Sequence, residues 1–203
     1  IAVVGLGQVG SYLLNELNIK KKDIELKTGK KINVVAVSAR NINKKRQFKI
    51  NKKIFFKNPL EIFNKKKVDI LFEAIGLSDG ISKKVVESAL KKKIHVITPN
   101  KALISKHGNE LAKIAELNNV NLEFEASVAG GIPILRSIKE GLATNKISKV
   151  YGILNGTSNY ILSEMENSNQ SFSDVLKKAQ KLGYAEPGNP KLDLNGFDAF
   201  AKV

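Results

Sequence analysis

The chain opens with Ile1-Ala-Val-Val-Gly5-Leu-Gly7-Gln8-Val9-Gly10, four apolar residues that run directly into a glycine-rich turn. The apolar run predicts a buried strand of a parallel sheet. After the turn, apolar residues recur at helical spacing at Val9, Leu13, Leu14 and Leu17. This spacing predicts a helix. A G-x-G-x-x-G turn between a strand and a helix is typical of dinucleotide-binding domains.

Each glycine of this turn has its own physical role in such a domain. Gly5 allows the tight turn, Gly7 lets the backbone approach a pyrophosphate, and Gly10 lets the helix pack closely on the strand. The first helical amides attract phosphate through hydrogen bonds and the helix dipole. Cofactor contacts are therefore expected at Gly5, Gly7, Gln8, Val9 and Gly10. The alternative is a glycine-rich turn that binds no ligand.

The same strand–helix alternation repeats along the chain. Short apolar runs, which predict buried strands, lie at residues 33–38, 68–75, 94–97 and 120–125. Amphipathic segments, which predict helices, lie at residues 80–92 and 101–118. Repeated β-α-β units with short connections favour a right-handed parallel sheet. The predicted fold class is therefore α/β, with a Rossmann-type doubly wound parallel sheet.

Several local features of this pattern are also predicted. Asp79 or Ser78 is expected to cap the helix over residues 80–92. Residues expected to face the core from the helix over 101–118 are Leu111, Ile114 and Leu117. Segments expected to lie at the surface are the charged residues 20–32, as an excursion, and the polar residues 41–53, as a loop.

The residues after the second strand bear on cofactor choice. NAD-specific sites usually place an acid near the end of this strand to bind the ribose 2′-hydroxyl. Here Ser38-Ala39-Arg40 stands instead. An arginine can pair with a 2′-phosphate, whereas a carboxylate would repel it. Arg40 therefore favours NADP(H), with Lys57 as a second phosphate contact, and the alternative is a merely exposed arginine.

A lysine stands just beyond the strand over residues 94–97, in Thr98-Pro99-Asn100-Lys101. Pro99 restricts Thr98 to extended geometry and ends the strand there. Lys101 is therefore expected at the carboxyl end of the sheet, where open α/β sheets bind ligands. The alternative is a solvated surface lysine in a lysine-rich chain.

Glu125 stands beside a flexible turn, in the stretch that runs from Glu125 through Gly130-Gly131 to Pro133. A carboxylate beside such a turn can supply oxygen ligands to a hard cation. From spacing alone, an entry turn to a helix over residues 133–143 is the favoured interpretation, because Pro133 suits the first helical position.

The last part of the chain carries a second group of polar residues. Residues 149–154 predict a strand that enters the turn at Asn155-Gly-Thr-Ser-Asn159. Such a turn can bind a small polar ligand or cap the next helix. A further amphipathic helix is predicted from Phe172, Val175, Leu176, Ala179 and Leu182, with Gly183 as its C-cap. Asp198 and Lys202 are four residues apart, which on a helix predicts a shared face and at minimum an exposed salt bridge.

Composition limits the function classes. The 203 residues, 42% of them hydrophobic, suffice for one large domain or two small ones. The absence of cysteine excludes disulfides, thiolate catalysis and cysteine-ligated metal, and it suits a cytoplasmic protein. The apolar runs are too short to cross a bilayer, and no signal peptide is recognised. Ile1 opens directly on a strand and the chain ends within a helical pattern, so a longer natural protein is expected.

The net charge of +15 raises the question of nucleic-acid binding. DNA-reading proteins usually rely on arginine for bidentate contacts to bases. The arginines of this chain are Arg40, Arg46 and Arg136, and its lysines form scattered surface runs. Nucleic acid is therefore disfavoured as a partner.

Taken together, six motifs resemble the homoserine dehydrogenase family and follow one another in that family's order. They lie at residues 5–10, 98–103, 125–133, 155–160, 183–187 and 193–202. The resemblance implies a dinucleotide-binding domain over residues 1–124. It further implies an α+β substrate and dimerisation domain over residues 125–203, with its C-terminal part missing. One departure is that residues 186–193 are a residue longer than the usual pattern and lack an acid after Pro187.

The resemblance also implies an activity. It is the NAD(P)-dependent interconversion of L-aspartate 4-semialdehyde and L-homoserine, in threonine, methionine and isoleucine biosynthesis. NADP(H) is the preferred cofactor, with NAD(H) as the alternative. A likeness to this family further implies a monovalent cation, sodium, and a homodimer of the full-length protein.

Specific residues match the family's motifs. Catalytic roles are implied for Lys101 and Lys202. Substrate contacts are implied for Asn155, Gly156, Thr157, Tyr184, Glu186, Asp193 and Asp198. Cofactor contacts are implied for Thr98, Asn100 and Lys101, beside the glycine turn, Arg40 and Lys57. A cation site is implied for Glu125 with the backbone of Val128, Gly130 and Ile132, in place of the simple helix-entry turn.

Two other readings remain open at this point. Another pyridine-nucleotide enzyme that acts on an amino-acid substrate is the nearer one, although a phosphorylating semialdehyde dehydrogenase would need a thiol nucleophile. The other is a non-enzymatic nicotinamide-nucleotide sensor that binds nucleic acid through its lysines. Salt-dependent DNA binding without turnover would favour that sensor.

Overall fold

The computed structural model describes residues 1–46, 50–185 and 191–203. By the packing of its backbone the chain divides into two compact units, Ile1–Gly141 and Leu142–Val203. The domain boundary expected after residue 124 stays a prediction, because a division by packing does not mark functional domains.

The first unit is built on a parallel sheet. Its described strands are β1 (Ala2–Val4), β2 (Ala36–Ser38), β3 (Phe55–Phe56), β4 (Ile70–Glu73), β5 (His95–Ile97) and β6 (Leu122–Glu123). They are hydrogen-bonded in the order β3-β2-β1-β4-β5-β6, and every pair is parallel. The order reverses beside β1, so the turn after β1 lies at the topological switch point where such sheets bind ligands. The predicted doubly wound α/β fold is confirmed.

Six helices are described in the first unit. They are α1 (Gln8–Ile19), α2 (Lys21–Thr28), α3 (Ile62–Lys65), α4 (Ile81–Lys91), α5 (Lys101–Leu117) and α6 (Ile134–Arg136). Short 3-10 turns lie at Lys52–Ile54, Pro59–Glu61 and Glu125–Ser127, and a π-helical turn lies at Ser137–Gly141. The charged surface excursion expected at residues 20–32 contains the exposed helix α2. An ion pair between Asp23 and Lys27 supports this helix, and Gly29, in a left-handed conformation, ends it.

The core of the first unit lies on both faces of β1 and β4, and on the one face of β5 that carries Val96. Val3, Leu71 and Val96 are fully buried at the centre of these strands. From α4, the predicted apolar face packs inward through Val85, Val86, Ala89 and Leu90. Burial of the valine and leucine side chains stabilises the fold by roughly 1.5–3 kcal/mol each.

The helix α5 buries Leu111, as expected, but leaves Leu117 83% exposed. Six residues at about 100° each place Leu117 roughly 120° around the helix from Leu111. The expectation that Leu117 faces the core is therefore wrong. Ile114 packs against the core only partly.

The cap expected for α4 is also wrong. Its N-cap is Gly80, which has no side chain to accept a hydrogen bond from the helix. The Asp79 carboxylate instead accepts from Lys106 Nζ at 2.7 Å and contacts His107 Nε2 at 2.9 Å, both on α5. Hydrogen bonds from Lys106, Ser78 and His107 hold the pKa of Asp79 well below its ordinary value. Asp79 therefore links the segment that precedes α4 to α5, rather than capping α4.

The second unit contains four described helices, α7 (Gly156–Ser168), α8 (Phe172–Lys181), α9 (Lys191–Leu194) and α10 (Phe197–Phe200). Ile161 of α7 packs with Val175 and Ala179 of α8 and with Ala185. Gly183 follows α8 with a φ of +81°, which suits its predicted place at the helix end.

The strand expected at residues 149–154 does not form. Residues 146–155 have no regular secondary structure, and Tyr151 and Ile153 are 88% and 79% exposed. A strand needs a neighbour for its backbone hydrogen bonds, and no strand is found beside this segment in the described part of the chain. The apolar run alone was therefore an insufficient signal for a strand.

Candidate functional site

The turn between β1 and α1 is tightly packed where the motif requires it. Gly5 has a φ of +93°, and a Cβ atom there would lie 2.3 Å from the carbonyl carbon of Ala74. A Cβ atom on Gly10 would lie 2.0 Å from the carbonyl oxygen of Gly5. Neither position can therefore hold a larger residue. Gly7 has no atom within 4 Å of its Cβ position, so space is open beside its backbone.

A cavity of about 510 Å³ lies beside this turn. Its wall includes Gly5 and Gly7, and also Ser38 at the end of the neighbouring strand β2. The cationic side chains that line it are Arg40, Lys44, Arg46 and Lys57. No carboxylate lines it among the described residues. Such a wall matches a polyanionic ligand.

Arg46 is a lining residue that the sequence analysis did not single out. Its guanidinium donates to the carbonyl oxygens of Leu6 at 3.4 Å, Ile42 at 3.1 Å and Asn41 at 2.9 Å. These bonds fasten the segment after β2 to the glycine turn. The signal in the sequence was only the basic character of residues 41–53, which did not distinguish Arg46 from its neighbours.

The turn at Thr98-Pro99-Asn100 leads from β5 into α5. Thr98 and Asn100 are buried, and the Asn100 side chain caps α5 by accepting from the backbone N–H of Leu103 at 3.2 Å. Lys101 is the first residue of α5 and is partly buried. The structure thus places Lys101 beyond the carboxyl end of the sheet, where the sequence analysis put it.

Glu73, at the end of β4, is a residue to which the sequence analysis gave no role. Its side chain is fully buried. Its carboxylate accepts hydrogen bonds from Ser82 Oγ and Thr98 Oγ1, both at 2.6 Å, and from the Ile75 backbone N–H at 2.7 Å. Since Ser82 and Thr98 lie 9 and 25 residues from Glu73 in the sequence, no local pattern could reveal this network.

The turn after β6 gives Glu125 two backbone partners. Its carboxylate accepts from the N–H of Leu135 at 3.2 Å and of Arg136 at 2.8 Å, at the start of α6. Each carboxylate oxygen keeps a further lone pair, and the Val128, Gly130 and Ile132 carbonyls are oxygen donors of the kind that a hard cation takes. The donor set therefore fits a cation chemically. The described residues hold no cluster of three acidic, histidine or cysteine side chains, so main-chain oxygens would have to complete such a site.

In the second unit a network of polar side chains surrounds Asn155. The Asn155 amide nitrogen donates to Asp193 Oδ1 at 2.9 Å and to Asp198 Oδ2 at 2.8 Å, while its oxygen accepts from the Ser158 N–H at 2.7 Å and caps α7. Asp198 also accepts from Lys202 Nζ at 2.7 Å. This structure brings together two acids, an amide and a lysine that sequence analysis assigned to substrate and catalysis.

The remaining predicted substrate residues adjoin this network. Thr157 Oγ1 donates to the Tyr184 carbonyl at 2.6 Å and lies 3.3 Å from Asp193 Oδ2. The Tyr184 ring stacks on Tyr160 with centroids 4.5 Å apart. Gly156 is the first residue of α7. Glu186 lies outside the described residues.

The two predicted catalytic lysines lie in different units, Lys101 in the first and Lys202 in the second. In the described part of the chain, no helix combines the length and apolar character needed to cross a membrane.

The fold and the cationic cavity at the glycine turn define a dinucleotide-binding protein of the Rossmann class. The family model for the NAD binding domain of homoserine dehydrogenase matches residues 5–125, and the homoserine dehydrogenase model matches residues 133–203. The chain belongs to the homoserine dehydrogenase family.

Known relatives agree with this assignment. Homoserine dehydrogenases of Neisseria gonorrhoeae and Bacillus subtilis are 42% and 36% identical over 203 residues, which is all of this chain and 46% of each relative. The crystal structure of a homoserine dehydrogenase from Thiobacillus denitrificans is similar with a TM-score of 0.83 at 39% identity, over 99% of this chain and 46% of that one. A crystal structure of the S. aureus homoserine dehydrogenase is similar with a TM-score of 0.85 at 38% identity, over 99% of this chain and 47% of that one. The chain thus spans about half the length of these relatives.

Proposed function

We propose that the complete natural protein carrying this chain interconverts L-homoserine and L-aspartate 4-semialdehyde with NADP(H). Threonine, methionine and isoleucine biosynthesis would use this reaction in the cytoplasm. The observation that carries the proposal is the network of Asn155, Asp193, Asp198 and Lys202, since it supplies both charges and a proton-transfer group for an amino-acid substrate. Membership of the family supports it.

The first unit would bind the cofactor. The α1 N-terminus and the backbone at Gly5 and Gly7 suit a pyrophosphate. Arg40 and Lys57 line the cavity and suit a 2′-phosphate. When bound, the nicotinamide supplies or accepts the hydride. The residues at Thr98, Asn100 and Lys101 would orient the reacting groups.

The second unit would hold the amino-acid part of the substrate. Asp193 and Asp198 suit the ammonium group of homoserine, because carboxylates make charge-assisted hydrogen bonds to cations. Lys202 would donate a proton to the oxygen that gains negative charge during aldehyde reduction, and it would accept that proton in the reverse direction. Lys101 would bind the substrate carboxylate or share in this proton transfer. Glu186, Tyr184, Gly156 and Thr157 remain proposed contacts.

A monovalent cation is a further part of the proposal. Glu125 with the carbonyls of Val128, Gly130 and Ile132 would hold sodium and so fix the turn after β6. Sodium-dependent thermal stabilisation that Glu125→Gln abolishes would support this site. We also propose that the complete protein is a homodimer, which sedimentation would test.

An assay of the complete protein tests the proposed reaction. Homoserine should support reduction of NADP⁺, and aspartate 4-semialdehyde oxidation of NADPH, both measured by nicotinamide absorbance. Threonine, which also carries a hydroxyl and an ammonium group, serves as the comparison substrate. Absence of turnover with homoserine and both nicotinamide cofactors would overturn the proposal, and salt-dependent DNA binding in its place would favour the sensor reading.

A further inference from the structure

Three connections meet at the carboxyl ends of β1, β4 and β5. The β1 turn packs on the β4 connection, because the Cβ position of Gly5 lies 2.3 Å from the Ala74 carbonyl carbon. The residue after Ala74 is Ile75, whose N–H donates to Glu73. The Thr98 hydroxyl of the β5 connection donates to the same carboxylate. One buried side chain therefore joins the cofactor turn to the turn that precedes Lys101.

The described groups that hydrogen-bond to the Glu73 carboxylate are all donors. One oxygen, Oε1, accepts from the Ile75 N–H and from Ser82 Oγ. The other, Oε2, accepts from Thr98 Oγ1, and the Asn100 amide nitrogen lies 3.4 Å from it. This matches a carboxylate, whose two oxygens are acceptors only. A buried acid left without such partners would be strongly destabilising.

Asn100 connects the Glu73 network to the first turn of α5, which begins at Lys101. Its amide nitrogen donates to the Leu77 carbonyl at 2.9 Å and to Ser82 Oγ at 3.0 Å, and its oxygen accepts from the Leu103 N–H. The backbone N–H of Asn100 donates to Thr98 Oγ1 at 3.0 Å. With every polar group of Asn100 engaged, the first turn of α5 has little freedom to shift.

We propose that Glu73 is a positioning residue that fixes Lys101 relative to the cofactor turn at Gly5. It acts through Thr98 and Asn100 on one side and through the Ile75 N–H on the other. This inference rests on the proposed function, because Lys101 is assigned to substrate and proton transfer there. Displacement of a reacting group by about 1 Å can lower a rate about 100-fold.

Glu73→Gln is the sharpest test, since it keeps the shape and replaces one oxygen by an amide nitrogen. The hydroxyls of Ser82 and Thr98 can rotate to accept a hydrogen bond from the new amide. The Ile75 N–H cannot, because a backbone N–H is only a donor. The Asn100 amide cannot flip either, because its oxygen accepts from Leu103. The Ile75 bond is short, at 2.7 Å, so the new amide nitrogen should face Asn100 and displace the start of α5.

The experiment compares four variants of the complete natural protein: Glu73→Gln, Thr98→Val, the double variant, and Val86→Ala. Val86 is a fully buried core residue of α4, and its truncation controls for loss of stability alone. We expect Glu73→Gln to lower kcat about 10- to 100-fold, with the Kd for NADPH changed less than about threefold because the Ile75 bond persists. Thr98→Val should lower kcat by a similar factor, because it removes the hydrogen bond from Thr98 Oγ1 to Glu73. The fold-reduction in kcat of the double variant should be smaller than the product of the two single fold-reductions, because both residues belong to one network.

Two outcomes would overturn the positioning role. One is a kcat for Glu73→Gln equal to that of Val86→Ala, and the other is strictly multiplicative losses in the double variant. Should the wild type lack turnover with homoserine, the proposed function fails, and amide hydrogen exchange at Leu103 decides the positioning role. Faster exchange in Glu73→Gln than in Val86→Ala supports it, and equal exchange overturns it.

Discussion

The Nζ atom of Lys202 lies 2.7 Å from a carboxylate oxygen of Asp198 and 2.6 Å from the carbonyl oxygen of Leu154. These acceptors come from α10 and from the segment that enters α7, so the ammonium group is held between two parts of the second unit. An exposed salt bridge of this spacing would contribute a few tenths of a kcal/mol. Here the lysine side chain is only 21% exposed and the aspartate 11%, which favours a preset orientation over a loose surface pair.

Lys202→Ala should lower kcat of the complete protein about 100-fold or more, the usual scale for loss of a general acid. The Kd for NADPH should hardly change, because no phosphate contact is lost. Lys181→Ala, at an exposed lysine of the same unit, is the matched control. If Lys202→Ala keeps a near-normal kcat and an intact circular dichroism spectrum, Lys202 is a salt-bridge partner of Asp198 and not a general acid.

Arg40→Ala should weaken NADP(H) binding by about 1–3 kcal/mol, the range for hydrogen bonds to charged groups. NAD(H) binding should hardly change, since NAD(H) lacks the 2′-phosphate. Isothermal titration of both cofactors measures the difference. Arg136→Ala serves as the control, because Arg136 pairs with Glu140 rather than lining the cavity. Equal losses for the two cofactors would contradict the assignment of Arg40.

Asn155→Ala should both destabilise the protein and raise KM for homoserine. Loss of the α7 cap costs about 1 kcal/mol, and loss of the two donated hydrogen bonds lets Asp193 and Asp198 repel each other. Ser171→Ala is a matched control, since Ser171 caps α8 in the same way. It should show a similar loss of stability in thermal unfolding with unchanged KM. A raised KM in both variants would mean that the effect comes from stability alone.

Asp79 should make the stability of the protein depend on pH. Its pKa is lower in the folded state than in the unfolded chain, so its stabilising effect is fully present above the unfolded pKa of about 3.9. The effect shrinks as pH falls below that value, because the unfolded chain then takes up a proton that the folded state does not. The difference in Tm between wild type and Asp79→Asn should therefore narrow as pH falls from about 5 toward 3.

The control for this measurement is Asp23→Asn, in the exposed pair with Lys27 within α2. Asp23→Asn should change Tm less than Asp79→Asn at every pH. Asp79 connects the segment before α4 to α5, whereas Asp23 pairs with a residue of its own helix. Added salt should reduce both effects. A Tm difference between wild type and Asp79→Asn that widens on acidification would contradict a lowered pKa of Asp79 in the folded state.

The sequence predicted those parts of the molecule that depend on local pattern. The strand, glycine turn and helix at residues 1–19 follow from hydrophobic period and from the two glycines that no side chain could replace. The Glu73 network could not be predicted, because it joins residues 73, 75, 82, 98 and 100 through tertiary packing. At residues 149–154 the local pattern misled the prediction. The apolar run of a strand is present there, but the described residues contain no strand with which it could pair.

The cavity at the glycine turn has a consequence for kinetics, because it is lined by Arg40, Lys44, Arg46 and Lys57. In a chain with a net charge of +15, these cations produce a field that attracts a nucleotide before any contact forms. Such steering raises association rates by about 10- to 1000-fold and weakens as salt screens it. Cofactor capture should therefore slow steeply with ionic strength in stopped-flow measurements, whereas the rate of cofactor release, set by short-range contacts, should change little.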